Sequence, residues 1–451
     1  MTDAAAQEMP ARRPWRAAAD LAPDGASLPG WSAERRATAL ARLDAQGLPD
    51  SGDEEWRYTS LTDWEQRWTA YLAAAGQPDA PSGPAGAACQ PGAAADPTAV
   101  RVQVIDGVLR QPPGATPPGL FIGSLCQLTP ELQARAGALL GKSADLPPDS
   151  LVDLNSALVA DVILVATDAG CNLDATPVHI QLQGNGSPAF SQPRLLVDVA
   201  RNSRLTLILE YCGADGTLAN AVAQAWVGPG GHLELVRVQD LPDDGMLTDT
   251  SRIELAEAAS AKITSVDLGS LLSRQSLTVL LTGSGASASV DGLFLADGRR
   301  HIDNRTRLEH QAPATTSRES FRGLADDHGR GVFNGKIIVL PGAAGSNAAL
   351  SNRNLLLAAT AEIDTKPELE IHVDDVRCSH GATTGQLDAN ALFYLRSRGL
   401  DPTAARQVLI ASFLRESLGR IVLPALRQRL EARLRDRLGG SIALANPGAG
   451  P

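Results

Sequence analysis

From about residue 161 to residue 373 the chain repeats one short element, with no long helical pattern in between. Runs of five to nine residues alternate apolar and polar side chains: VILVAT (162–167), RLLVDVA (194–200), SRLTLILEY (203–211), HLELVRVQ (232–239), SLTVLL (276–281) and LEIHV (369–373). Side chains of an extended strand point to opposite faces in turn, so each run predicts a strand with one buried face. Turn formers punctuate the gaps, as in GPGG (228–231), DDG (243–245) and GSG (283–285). Strand after strand without helices leaves a sandwich, a barrel, a propeller or a β-helix. No motif of blade length recurs, which argues against a propeller. The Asn-Gly hairpin signal is nearly absent, FNGK (333–336) being the one good case. Abundant small residues and open-ended repetition favour a β-solenoid.

Helical patterns flank this region. WSAERRATALARLDAQG (31–47) is rich in helix formers and stops at Gly47, and DEEWRYTSLTDWEQRW (53–68) opens with acids, which suit a helix start. The Ala-, Pro- and Gly-rich stretch 74–98 reads as a linker. VRVQVIDGVL (100–109) predicts a strand, with short helices near 129–141 and 149–160. At the other end, DANALFYLRSRGL (388–400) and DPTAARQVLIASFLRESLGR (401–420) predict helices, the second with Asp401 as cap and Pro402 at its first position. PALRQRLEARLRDRLGG (424–440) places leucines at 426, 430, 434 and 438 among arginines, either a solvated amphipathic helix or a face that docks on a partner. The expected organisation is a helical region (1–73), a linker (74–98), a mixed α/β segment (99–160), a β core (161–385) and a C-terminal helical domain (386–451).

Composition excludes several function classes. A formal charge of −11 argues against nucleic acid or an anionic membrane as partner, and no run approaches the roughly 18 apolar residues of a membrane span. The first residues, MTDAAAQEMPARRPW, show no apolar secretory core, and the five cysteines (89, 126, 171, 212 and 378) are scattered and odd in number. A reducing, cytoplasmic setting is expected. GRGVFNGKI (329–337) misses the P-loop spacing and carries Ile337 where a magnesium-binding hydroxyl belongs, and GSGASA (283–288) lies among strand residues; both are expected to be turns. Neither a zincin motif nor a nucleophile elbow occurs.

The remaining chemistry gathers in DDVRCSHGATTGQ (374–386). Cys378 and His380 stand two apart, so an extended backbone puts both on one face. A thiolate beside an imidazole suits iron, zinc or a cluster iron, yet two ligands cannot close a site. The other reading makes Cys378 a small buried hydrophobe and His380 a hydrogen-bonding residue of a turn. His301 and His310 lack a ligand spacing and are expected to be structural.

The stretch NRNLLLAATAEIDTKPELEIHVDDVRCSHGATTGQLDANALFYLRSRGL (352–400) resembles the signature of the SufB/SufD family of iron–sulfur cluster assembly proteins. HIDNRTRLEHQAPATTSRESFRGLADDHGRGVFNGKIIV (301–339) and DEEWRYTSL (53–61) are similar to the same family. SufB chains typically read Ser-His-Glu-Ala where this chain reads Ser-His-Gly-Ala (379–382), and their cysteine-rich N-terminal motif is missing, so the likeness is to the SufD branch. The resemblance implies a mainly β fold: a right-handed parallel β-helix core between an N-terminal helical region and a C-terminal helical domain. It implies a non-enzymatic scaffold in a complex with SufB and two copies of the ATPase SufC. The β-helix would pair with that of SufB, and residues 386–438 would dock SufC. In the family the histidine of this motif is implicated in building the nascent cluster between SufB and SufD, a role that falls on His380, with Cys378 a weaker second. The iron–sulfur cluster is then transient and shared with SufB, and the resemblance is compatible with a flavin in the complex. ATP-driven closure of the SufC pair would strain the SufB–SufD junction and expose Cys378 and His380. The competing class is a stand-alone β-helix enzyme acting on polysaccharide, which the near absence of aromatic residues from the β region disfavours.

Overall fold

A computed structural model of the chain describes residues 14–21, 31–75, 98–141, 149–185 and 190–439, so most of the 74–98 linker lies outside the described residues. Its helices are α1 (Pro14–Leu21), α2 (Trp31–Gln46), α3 (Thr62–Ala75), α4 (Pro130–Gly141), α5 (Ser150–Leu158), α6 (Ala389–Ser397), α7 (Pro402–Leu418) and α8 (Pro424–Arg437). Its strands are β1 (Val100–Ile105), β2 (Val108–Gln111), β3 (Leu120–Ser124), β4 (Ile163–Thr167), β5 (Val178–Gly184), β6 (Phe190–Ser191), β7 (Arg194–Val199), β8 (Arg204–Gly213), β9 (Leu218–Val227) and β10 (His232–Gln239). They continue as β11 (Met246–Leu255), β12 (Ser260–Asp267), β13 (Leu272–Leu281), β14 (Ser287–Ala296), β15 (His301–His310), β16 (Thr316–Ala325), β17 (Arg330–Val339), β18 (Ser346–Leu356), β19 (Glu362–Ile371) and β20 (Val376–Gln386).

Successive strands fall alternately into two facing sheets, one running β5-β8-β10-β12-β14-β16-β18-β20 and the other β7-β9-β11-β13-β15-β17-β19. Every pairing along these two runs is parallel. The fold is a parallel β-helix with helices at both ends of the chain. Inward side chains of both sheets form one continuous core, including Leu233, Ile263, Val290, Phe321, Phe333 and Ile337. The Phe321 and Phe333 rings lie 4.8 Å apart. Gly292 makes room for them, because a Cβ there would come within 2.0 Å of Phe321.

Each coil turns a corner on one residue with left-handed backbone. Asn202, Gly230, Ala258, Gly285, Ala314 and Gly345 form a column with φ from +53° to +73°. Each of these N–H groups donates to a carbonyl of the next coil, as Ala314 does to Ala344 at 2.9 Å. The column satisfies backbone groups that a bare turn would leave to water.

The helical layers explain themselves by burial. Trp64 and Trp68 of α3 are fully buried, each with its ring 5.0 Å from Phe190, and pack with Leu218, Met246 and Leu272. At the C-terminal side, α7 and α8 lay Ile410, Leu414, Leu418, Leu426, Leu430 and Leu434 on the outer face of the β8–β16 sheet. The leucine stripe of 426–438 therefore docks on the chain's own β-helix. Asp401 caps α7 as its sequence predicts, accepting from the N–H groups of Thr403 and Ala404.

Four local expectations are corrected. Residues 53–68 are not one helix: a single 3-10 turn (Glu54–Trp56) and an extended Thr59–Ser60 precede α3, because Thr59 is pulled into a buried hydrogen bond with Asp303. Residues 100–109 are not one strand but an antiparallel hairpin around Asp106-Gly107, both with positive φ. FNGK lies inside β17 and makes no hairpin. In GRGVFNGKI only Gly329 is at a turn, where a Cβ would come within 1.9 Å of the Ala296 carbonyl oxygen; the rest is strand.

Candidate functional site: the open end of the β-helix

Among the described residues the last strand of each sheet, β19 and β20, has a partner on one side only. Such an edge presents unpaired N–H and C=O groups. On β18 the Asn347 N–H donates backwards to Thr315, which fixes the alternation: odd residues of β20 face β18, and even residues turn their backbone groups to the free edge. Cys378 and His380 are both even. On β19 the N–H groups of Glu362 and His372 go to β17, so the odd positions face outward, and one of them is Pro367, which has no N–H to offer.

Register with β18 sets where the side chains point. Cys378 stacks on Ala348 and His380 on Leu350, both buried in the core, so both side chains lie on the inward face at the mouth of the lumen. They share a face, as the i, i+2 spacing predicts. Cys378 is half-buried and packs on the core, while His380 is exposed. Burial pushes the Cys378 thiol up, partly offset by a backbone hydrogen bond from Ala348, so an unliganded Cys378 is a thiol at neutral pH. Beside them, Thr365 donates to Asn352 at 2.8 Å and Asn354 to Thr384 at 3.3 Å, a polar ladder from the lumen to the rim. Among the described residues no group of three or more His, Cys, Asp or Glu side chains could hold a metal ion. The mouth thus sets one thiol and one imidazole on a common face without a closed ligand set.

The outer face of β19 is rich in acids. Glu362 and Asp364 meet Arg330, Glu368 meets Lys366, and Glu370 lies 2.9 Å from both Lys336 and His372. Lys336 and His372 hold the Glu370 carboxyl down to about 2. Glu54 reaches Lys366 at 2.8 Å, tying the N-terminal region to the last strand. The same segment stacks Trp56 on Arg274, pairs Glu55 with Arg305 and joins Thr59 to Asp303 and His301. Nothing in residues 53–61 announces this strap in the sequence, since its partners lie more than 200 residues away.

His301 is half-buried against Thr59, and loss of solvent around its ring holds it down to about 4. His310 is bonded to Thr315 and Ser317 and is likewise about 4. Neither joins Cys378 and His380, as expected of structural residues. Sequence reasoning passed over His179, which contacts Glu210 at 2.7 Å; Arg429 of α8 grips the same carboxylate at 2.7 Å. A groove of about 1320 Å³ runs along the outer face of the second sheet, and the one aromatic side chain among its described lining residues, Trp56, is already stacked on Arg274. A sugar chain would find no stacking platform there. No described helix is long and apolar enough to cross a membrane.

Comparison with known proteins decides the family. Residues 180–413 match the SUF system FeS cluster assembly SufBD core domain, and residues 29–180 match the SufBD protein N-terminal region. The chain belongs to the SufBD family. It is 30% identical over 412 residues to an iron–sulfur cluster assembly SufBD family protein of Synechocystis, covering 88% of this chain and 89% of that one. It is 39% identical over 186 residues to the iron–sulfur cluster assembly protein SufD of Escherichia coli K12, covering 41% of this chain and 44% of that protein. Its function therefore lies in iron–sulfur cluster assembly by the SUF system, and the SufBD core match ends within α7.

Proposed function

We propose that this chain is the SufD-type scaffold of a SufB–SufC–SufD complex, non-enzymatic and cytoplasmic, that helps build a nascent iron–sulfur cluster at its junction with SufB. The observation that carries the proposal is the open mouth of the β-helix, where Cys378 and His380 stand at an unpaired edge with too few ligands to close a site. A partner strand added to β20 extends the sheet by ordinary backbone hydrogen bonds and brings the missing thiolate or carboxylate ligands. His380 is the favoured ligand because its side chain is accessible, whereas Cys378 must first lose a proton that burial holds on. The cluster is cargo here, held in common with SufB and passed on; a flavin in the same complex is compatible with this reading.

SufC would dock on the C-terminal helical domain. Support comes from its uncovered apolar side chains: Phe393 and Tyr394 of α6 are 74% and 56% exposed, and Val408 of α7 and Val422 after it are exposed as well. α7 and α8 are spent on the β-helix, so α6 is the part left to meet an ATPase and pass its motion to β20, which it follows by two residues.

The test is anaerobic reconstitution of the co-expressed complex carrying His380→Ala. Visible absorbance of the cluster should fall to a small fraction of wild type while the three subunits still co-purify. Undiminished absorbance would remove His380 from cluster assembly.

A further inference from the structure

One carboxyl group is sealed inside the β-helix. Glu319 on β16 points into the lumen between Ser317 and Phe321, and only 1% of it is exposed. Its flanking neighbours in register are Val290 of β14 and Leu350 of β18. From the facing sheet Thr306 donates to Oε1, while Oε2 is buried without a partner. Among the described residues no cation offsets it. Arg318 and Arg322 on its own strand occupy the outward alternation, as do Arg274 on β13, Asp291 on β14, Arg305 and Arg307 on β15, Lys336 on β17 and Arg353 on β18. The nearest inward titratable group, His310, is bonded to Ser317 and is neutral above about pH 4. The Glu319–Leu350–His380 column runs in register to the mouth, so this carboxyl lies two rungs, roughly 10 Å, behind His380.

We propose that Glu319 is a proton-operated latch on the coils behind the open end: protonated, it is tolerated in the apolar lumen, and ionised, it drives those coils to open. A carboxylate in such surroundings, with one hydrogen bond, is strongly disfavoured. Burial accordingly pushes Glu319 up to about 8, while in an opened coil it returns to the ordinary carboxylate value. Linkage sets the sign. Between those two values the opened form has lost the proton and the closed form keeps it, so closure weakens as pH rises and reaches its floor above about 8. The mouth tightens on acidification. The latch belongs to this chain alone and stands or falls apart from the partners proposed above.

Native-state hydrogen exchange of the full chain tests it, with amide protection in β16 and β18 corrected for intrinsic exchange. From pH 6 to pH 8 the wild-type opening constant should rise about fifty-fold, and in Glu319→Gln it should stay flat. An equal rise in both proteins, or none in the wild type, overturns the proposal. Should the variant fold poorly, a carboxyl-carbon NMR titration of wild type decides: a Glu319 signal titrating near pH 8 supports the latch, and one titrating below pH 6 overturns it.

Discussion

The two ends of the β-helix are built on opposite terms. At the N-terminal end each sheet finishes in a short antiparallel strand, β2 on one and β3 on the other. Both are four or five residues long, and α4 packs alongside with Leu139 and Leu140 in the core next to Leu164 and Leu196. That is how a sheet edge is blunted against unwanted pairing. At the C-terminal end β19 and β20 run ten and eleven residues, parallel to their predecessors, with no buried residue in either. One end is finished and the other keeps two long strands paired on one side only. The difference teaches that the mouth is a surface kept at the expense of stability, and three substitutions probe it.

The largest effect should separate the last rung from the one beneath it. Leu350 is buried in the core, so Leu350→Ala should cost roughly 2–5 kcal/mol in denaturant unfolding. Cys378→Ala, one rung out on the same sheet and half-buried, should cost less than about 1 kcal/mol. Equal losses would mean that the end is as firmly packed as the middle. An intermediate effect is expected from Ala382→Pro. Residue 382 is even, so its N–H faces the free edge, and proline there spares the ladder to β18. Stability of the isolated chain should hardly move, while partner association measured by titration should weaken about tenfold or more. Unchanged association would take β20 out of the seam. The smallest effect should lie in the corner column, away from either end. Ala314 carries φ of +58°, and Ala314→Gly should raise unfolding free energy by up to roughly 1 kcal/mol, because a Cβ is disfavoured in left-handed backbone. A loss instead would show that chain entropy outweighs the strain.

Much of the body of this fold is legible in the sequence, because period-two alternation is a local property. Strands β4, β7, β8, β10, β13 and β19, which carry the alternating runs quoted above, the helices Trp31–Gln46, Pro402–Leu418 and Pro424–Arg437, and the shared face of Cys378 and His380 follow from spacing alone. The corners are harder to read. Asn202, Ala258 and Ala314 take left-handed positions where glycine would have announced a period, so no regular turn signal appears. Asp106-Gly107 hides because Val104-Ile105 and Val108-Leu109 flank it and the whole reads as one strand. FNGK misleads in the opposite sense: Gly335 is in β17 for packing, since a Cβ there would come within 2.6 Å of Leu350. The openness of the mouth is not legible at all, because it depends on which strands become neighbours in space, and the order of residues along the chain does not carry that.

The return of α7 and α8 along the β-helix has a consequence for how the molecule comes apart. A stack of near-identical coils, each touching only its neighbours, would ordinarily unravel from a free end one coil at a time. Here Arg429 holds Glu210 in β8, Arg433 holds Asp240 after β10, Arg437 holds Asp297 after β14, and Arg406 holds Asp326 after β16. These four arginines lash coils far apart in the stack to a single pair of helices. Peeling that starts at the mouth meets this spine directly after β18, where Arg406 also donates to the Leu357 carbonyl, and must strip it whole, so an unsealed end does not become a place where the protein frays.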